Sequence, residues 1–464
     1  MRALSALPLD DDIVDRIMTF SPTFATLQAL MLVSKAFYSV YQTHPKSITR
    51  AVAYNIVGPA LPQALRVIRY QYAMPDGNAR DKEDPDKLAT ECPEEHSPSV
   101  ITADEKQKLQ ENSKVVCALE DIYSLTQKDR TSRRSVLTSE ESWRFRRAVY
   151  RIMFYTRLFS GDRYDLDEIA DLGEDGVKHI RLQRMAVLKE YPTDELRQIY
   201  AVVQFMRDIL AEVADSGDQI DVLLSTGPNG VRYAWEERST ESVEEDLGFS
   251  LYEYDDGENE LYTGYFSLPL NKIWTARGAK PPKDDDEKEP PTKWILDAII
   301  GGNDTCSQCA TPGGLKLLTE ANWHRMEVQP AAFLKNRLKD NTTVTTPFQA
   351  ALASLRQQHY DPDKADDCRD DEEWLGPWIG GVFDVPRISG GQWDGWKRDG
   401  SYCQPCLRKF LDEHVWRWLL WERVKGGWAP PEDCWYGYNC KTMVHKRPHA
   451  EGKNHLCVPT KGDP

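Results

Sequence analysis

The sequence predicts a mainly α protein that ends in a small, metal-stapled α+β module. Three observations lead there. Apolar residues recur at helical spacing through most of the first 210 residues. A Pro- and charge-rich run, Lys280-Pro-Pro-Lys-Asp-Asp-Asp-Glu-Lys-Glu-Pro-Pro291, then offers nothing to bury and reads as a solvated linker. Beyond it the composition changes, with eight of the ten cysteines from Cys306 onward and ten of the 14 tryptophans from Trp323 onward. These shifts divide the 464 residues into helices over 1–50, a helical body over 51–275, a linker over 276–293, a Trp/Cys-rich module over 294–427 and a terminal finger over 428–464.

A chain of this length has room for two or three domains and a sizeable core. Its net charge of −16 argues against coating nucleic acid through a whole-surface field, although Lys441, Lys446, Arg447 and Lys453 form a local basic patch. The N-terminus carries no basic–apolar–small signal pattern, and there is no apolar run of about 18 residues or more. The expectation is a cytoplasmic or nuclear protein that does not enter the membrane. Clustered cysteines in that setting favour thiolates on metal over disulfides.

Near the N-terminus, Leu7-Pro8 leads to Asp10, Asp11 and Asp12, whose charges suit a helix start. Ile13, Val14 and Ile17 then recur at helical spacing, and Ser21-Pro22 ends that helix. A second helix, carrying Leu27, Leu30, Leu32 and Val33, is expected to run through Ser34-Lys35-Ala36-Phe37-Tyr38 and to stop near Pro45. So much aliphatic surface in about fifty residues exceeds what the segment can bury within itself, so it wants a partner groove. This pattern resembles an F-box: a Leu-Pro start, a first helix, a Leu-rich second helix and a Val-Ser-Lys-x-Phe run. The resemblance implies docking on the Skp-family adaptor protein of a cullin–RING ubiquitin ligase. Leu7, Pro8, Ile13, Val14, Ile17, Leu30 and Val33 would form the apolar docking face. The rival reading makes these simply the first two helices of a larger helical domain.

The helical body begins at Ala51 and is interrupted at Gly58-Pro59 and Pro62. Ser139-Glu140-Glu141 opens a helix with a stripe of Phe145, Val149, Ile152 and Phe159; Thr193-Asp194-Glu195 opens another with Leu196, Ile199, Val203, Met206 and Leu210. Val231–Trp235 fits strand and helix equally. Phe249–Tyr254 and Leu261–Phe266, flanking Asp256-Gly257, are expected to pair as a hairpin. His179 and Cys117 read as ordinary surface or core residues.

In the last third, Cys306-Ser-Gln-Cys309 is followed by Gly313-Gly314, and Cys403-Gln-Pro-Cys406 runs into a helix ending at Gly426-Gly427. Together the two pairs make a Cys₄ zinc site of treble-clef type; a helix N-terminus also favours thiolate. Closing the long interval between them is tolerable because loop entropy grows only logarithmically. A redox-active Cys-x-x-Cys is the competing reading. At the end of the chain, Cys434-Trp-Tyr-Gly-Tyr-Asn-Cys440 with His449 and His455 supplies the four ligands of a second tetrahedral Zn²⁺. Cys457, or Cys368 in an acidic loop, stands as a substitute ligand.

Cys434, Tyr436, Gly437, Cys440, His449 and His455 also match the PBZ finger of the aprataxin- and PNK-like factor family. That resemblance implies a structural zinc ion and a surface for poly(ADP-ribose), with Tyr436 stacking and Lys441 and Arg447 meeting phosphate. The whole layout resembles fungal F-box-like proteins with a helical middle and a Trp/Cys-rich end. G-x-S-x-G, Walker A and His-Glu-x-x-His motifs are missing from the sequence. The expectation is therefore a non-enzymatic adaptor holding one or two structural zinc ions and presenting an unknown protein substrate. The alternatives are a nuclear reader of poly(ADP-ribose) or nucleic acid, and an interaction scaffold.

Overall fold

In the computed structural model the described residues are 10–69, 93–94, 100–164, 166–214, 216–251, 261–282, 290–326, 328–359, 374–386 and 391–462. The protein is mainly α. In chain order the helices are α1 Asp11–Thr19, α2 Phe24–Val33, α3 Lys35–Thr43, α4 Pro45–Val57, α5 Leu61–Arg69, α6 Ala103–Tyr123, α7 Ser139–Leu158, α8 Leu166–Asp171, α9 Gly173–Lys189, α10 Thr193–Leu210, α11 Gly217–Leu223, α12 Gly227–Glu237, α13 Glu241–Leu247 and α14 Ser267–Ala276. They are followed by α15 Thr342–His359, α16 Leu375–Asp384, α17 Gln404–Lys425, α18 Thr442–His445 and α19 Arg447–Gly452. Two compact units result: residues 1–121 with 137–297, and residues 122–136 with 298–464. The described residues include no helix long and apolar enough to cross a membrane.

In the first unit, α1 to α4 close around Val14, Met18, Leu27, Phe37, Val40, Ile48 and Val52. Two sequence expectations change here. Ser34 does not continue a helix: it is extended (φ −158°, ψ 164°) and its Oγ accepts from the Phe37 N–H, capping a separate α3. The run does stop near Pro45, at Thr43, and Pro45 itself starts α4, as its fixed φ and missing donor allow at a first turn. Val14 faces inward and is buried, so it belongs to the core of this bundle and not to a docking face. Leu30 packs half-buried against the same core. Ile13, Ile17 and Val33 point outward, joined by Phe20 (71% exposed) and Leu32 (81% exposed). Leu7 and Pro8 lie outside the described residues.

The body behaves as its periodicity indicates. Thr138 and Glu141 form a reciprocal capping box at the start of α7. Arg151 lies buried on α7, donating to both Glu94 (2.7 and 3.2 Å) and Glu195 (2.6 Å). Gly58 takes φ +81° at the break before α5. Val231–Trp235 is helical, inside α12. The second arm of the expected hairpin is not a strand: residues 261–266 form turns leading into α14, with Tyr262 and Tyr265 hydroxyls donating to the Gly161 and Phe159 carbonyls, while 252–260 lie outside the described residues. Asp256 and Gly257 lie outside the described residues, as do 283–289 of the linker and Cys368. Beyond the linker, Trp294 packs edge-on against Tyr200 of α10 (6.1 Å), and Asp297 pairs with Arg144 (2.7 Å), so the chain up to Asp297 belongs to the first unit.

The second unit has one continuous core, running from Cys306 and Leu317 through α16 and α17 to Cys434, Met443 and Leu456. Residues 294–427 and 428–464 therefore do not pack as separate modules. The α+β character expected of this region is not found: among the described residues β pairing is limited to isolated bridges, Thr305 with Pro312, Leu318 with Tyr402, and Asp433 with Asn454. Stacked aromatic rings run through the core of the unit. Trp323, Phe383, Phe410 and His414 follow one another face to face at 5.2, 4.2 and 4.4 Å, and Trp396 stacks on both Phe410 (5.0 Å) and Tyr402 (4.6 Å).

Candidate metal centres

The first centre is assembled from a loop and a helix N-terminus. The Ala310 N–H donates to the Cys306 carbonyl (2.9 Å) and the Cys306 N–H to the Thr311 carbonyl (2.9 Å), a tight turn that requires φ +57° at Ala310. This turn holds Cys306 and Cys309 on one side. Opposite it, Cys403 occupies the N-cap of α17 with extended backbone, and Cys406 sits in the first turn. The Leu318–Tyr402 bridge ties the two segments (2.7 and 2.9 Å), and the Cys403 N–H donates to Cys306 Sγ at 3.3 Å. All four sulfurs come within 4.8 Å of one another. Cys309 and Cys403, 94 residues apart in sequence, approach to 3.7 Å. Four sulfurs around a tetrahedral ion at about 2.3 Å lie about 3.8 Å apart, so the spacing matches.

The second centre closes on two short helices. Cys434 N–H donates to the Asn454 carbonyl (2.8 Å), Gly437 N–H to the Cys434 carbonyl (2.8 Å), and Tyr438 N–H to the Cys457 carbonyl (3.2 Å). Gly437 takes φ +40°, and a Cβ there would stand 2.2 Å from the Cys457 carbonyl oxygen. The sulfurs of Cys434 and Cys440 lie 3.6 and 3.3 Å from His449 Nε2, near the roughly 3.6 Å of a tetrahedral S,N set. His455 completes the group, again with all donors within 4.8 Å. Its Nε2 is buried and has no hydrogen-bond partner, the state of a ring nitrogen whose partner is an ion. A backbone hydrogen bond with Lys453 holds the ring, as outer contacts of ligating histidines do.

Electrostatics point the same way. Burial pushes Cys403 up, with Cys406 opposing and Cys309 and Cys306 adding to it; burial and then the other three thiols raise Cys406, while burial and Cys440 raise Cys434. Exposed Cys309 is lowered to about 6 by its side-chain and backbone hydrogen bonds with Thr311. Burial and the adjacent His449 lower His455 to about 4, leaving the neutral imidazole a metal needs.

While the substitute Cys368 lies outside the described residues, the eight ligands placed in the two sites from the sequence all fall into these two groups. Cys457 does not: its Sγ lies near the Cys434 and Asn454 carbonyls (3.5 and 3.4 Å), and burial raises its pKa to about 11, so it is a protonated hydrogen-bond donor beneath the loop. Of the proposed ligand-contact residues, Tyr436, Lys441 and Arg447 are all exposed, and Arg447 pairs with Glu451 at 2.7 Å. The sequence reading missed Trp435, 58% exposed with the Lys461 ammonium 3.6 Å over its ring. It also missed Arg130, which lies 174 residues before its partner Asp304 and has no local signal. His179 is exposed on α9, as expected.

Comparison with family models, with curated proteins and with solved structures gave no match.

Proposed function

We propose that this chain is a zinc-stapled adaptor: its C-terminal unit holds two structural Zn²⁺ ions, and its N-terminal helices dock on a Skp-family subunit of a cullin–RING ubiquitin ligase, in the cytoplasm or nucleus. The observation that carries the zinc reading is the convergence of four soft or borderline donors, at tetrahedral spacing, in each centre. Sets of thiolate and imidazole suit Zn²⁺, whereas Mg²⁺ and Ca²⁺ seek oxygen. Four protein ligands per ion leave no position for a water, so the metal holds the fold and does not activate a nucleophile.

Support for the docking face comes from α1, which is apolar on two sides. Val14 and Met18 fill the bundle core, while Ile13, Ile17 and Phe20 line an outer groove with Asp12 and Arg16. Together with Leu32 and Val33, these are aliphatic and aromatic groups without a function inside the bundle. Substrate recognition then belongs to the C-terminal unit.

A second reading rests on Trp435 and Tyr436, exposed rings adjacent in sequence with the Lys461 ammonium over Trp435, in a terminal segment that also exposes Lys441 and Arg447, which suits a stacked base and its phosphates. In that reading the protein is a nuclear reader of poly(ADP-ribose) or nucleic acid.

Elemental analysis of the purified chain tests the metal: about two zinc ions are expected, and a metal-free, folded C-terminal unit would overturn the reading. Ile17→Asp with Val33→Asp, both outside the core, tests docking. Co-purification with the Skp-family subunit should be lost, and its retention removes the adaptor assignment. Salt-sensitive retention of poly(ADP-ribose) on a filter, abolished by Trp435→Ala, would favour the second reading.

A further inference from the structure

Residues 122–136 are far from the metal ligands in sequence yet pack with them in the second unit. The segment leaves α6 through a π turn at Ser124–Lys128, and the Lys128 carbonyl accepts from the Ile300 N–H at 2.8 Å. Arg130 follows, with only 3% of its side chain exposed. Its guanidinium reaches both halves of the Cys₄ centre. Nη1 donates to the Gly301 carbonyl (3.2 Å), and Nη2 donates to Asp304 Oδ2 (2.5 Å) and to Ser401 Oγ (3.0 Å). Asp304 lies two residues before Cys306, and Ser401 two before Cys403.

The same two segments are joined again next to the sulfurs. The Ser307 N–H donates to the Ser401 carbonyl (2.8 Å), and the Ser401 N–H to Ser307 Oγ (3.1 Å). The Asp304 carbonyl accepts from the Gly313 and Gly314 N–H groups (3.0 and 2.9 Å), closing the donor loop. From the other side, Thr319 Oγ1 donates to the Arg130 carbonyl at 2.8 Å, fixing the arginine backbone. Gly301 has φ +71°, and a Cβ there would meet Arg130 Nη1 at 2.4 Å, so that position accommodates the guanidinium.

We infer that Arg130 is a positioning residue of the Cys306–Cys309–Cys403–Cys406 centre, clamping its two Cys-x-x-Cys segments together, so that metal in this centre and the packing of residues 122–136 are thermodynamically linked. The inference rests on the metal reading above. An arginine can do this because its planar fork offers several donors in fixed directions, and its charge-assisted bond to the half-exposed Asp304 is stronger than a neutral one. Without the clamp, two segments about a hundred residues apart are held only by the Leu318–Tyr402 bridge, the Ser307–Ser401 contacts and the ion, which must then offset more of the cost of loop closure. Linkage is reciprocal: what the strap contributes to metal affinity, the metal returns to the order of the strap.

The test uses the full zinc-loaded chain, transferring metal to a chromophoric chelator. Cys309→Ser, at the exposed ligand, identifies which kinetic phase belongs to this centre. Arg130→Ala should speed that phase by about tenfold or more, as loss of an outer contact typically does, with the Cys434/His455 phase unchanged. Arg130→Lys, which keeps the charge and loses the fork, should fall between. In the wild-type chain, stripping zinc should raise hydrogen exchange of residues 122–136, a readout that needs no variant to fold. Wild-type release rates in Arg130→Ala, or exchange in 122–136 indifferent to metal, would overturn the inference and leave the metal reading standing. Unchanged zinc stoichiometry in Cys309→Ser together with Cys306→Ser would remove both.

Discussion

At Gly437 the second metal loop closes only because a hydrogen stands where other residues carry a methyl. The backbone is left-handed there and the Cys457 carbonyl is the neighbour a Cβ would strike, a backbone atom that cannot swing aside. Gly437→Ala is expected to cost about 2 kcal/mol or more and to release one metal ion, read by elemental analysis and by the melting of the C-terminal unit. In the first unit, Glu94 is the residue whose charge matters. Burial opposes its ionisation, but the hydrogen bond and charge of Arg151, then Gln63 and Arg66, outweigh this, and its pKa falls below the ordinary 4.5. A carboxylate with a lowered folded-state pKa contributes stability that is fully present above the unfolded value and lost as pH falls through the folded one. Unit one should therefore lose stability below about pH 4.5. Glu94→Gln should lower stability at neutral pH and flatten that acid limb in a series of denaturant titrations. A limb of unchanged steepness would show that other carboxylates govern it.

Among the elements, α7 illustrates what a start signal contributes. Thr138 accepts from the Glu141 N–H while the Glu141 side chain accepts from the Thr138 N–H (2.8 Å), satisfying two donors that would otherwise be orphaned at a half-buried end. Thr138→Ala should destabilise the first unit by about 1 kcal/mol, seen as a lower denaturation midpoint with an unchanged slope. The helix start was legible in Ser139-Glu140-Glu141, while the structure shows that Thr138, one residue earlier, is the cap. Ser34 is the same kind of signal, and it was overrun because apolar residues on both sides sustain one helical period across it. Periodicity places residues on a helix face and does not say which face turns inward. Ile13, Val14 and Ile17 share α1, yet only Val14 meets the core. The 261–266 segment misled for another reason. Its aromatic residues have high β propensity, but the Tyr262 and Tyr265 hydroxyls are satisfied by carbonyls of the α7–α8 connection, which favours a turn.

On the scale of the whole molecule, the two units depend on different forces. The first rests on helices packed through a large aliphatic core. The second has few regular elements outside α15 to α17, and its donor loops are held by short backbone contacts around the Cys and His groups. A strong chelator is accordingly expected to abolish the near-ultraviolet signal of the ten tryptophans from Trp323 onward while most far-ultraviolet helicity survives. Loss of both together would mean that the first unit also depends on metal.

By itself the sequence determined the helical character and which Cys and His residues would be candidate metal donors, because each is written in spacing over a few residues: 3.6 for a helix, two or five between paired donors. Tertiary structure decided which cysteines come together, that Cys457 stands aside as a donor, that residues 122–136 join the unit of the Cys/His groups, and that α1 carries one apolar face in and another out. These depend on contacts between residues distant in the chain. Arg130 and Asp304 meet only because the backbone around them is already folded, and no pattern within either segment encodes the other's position.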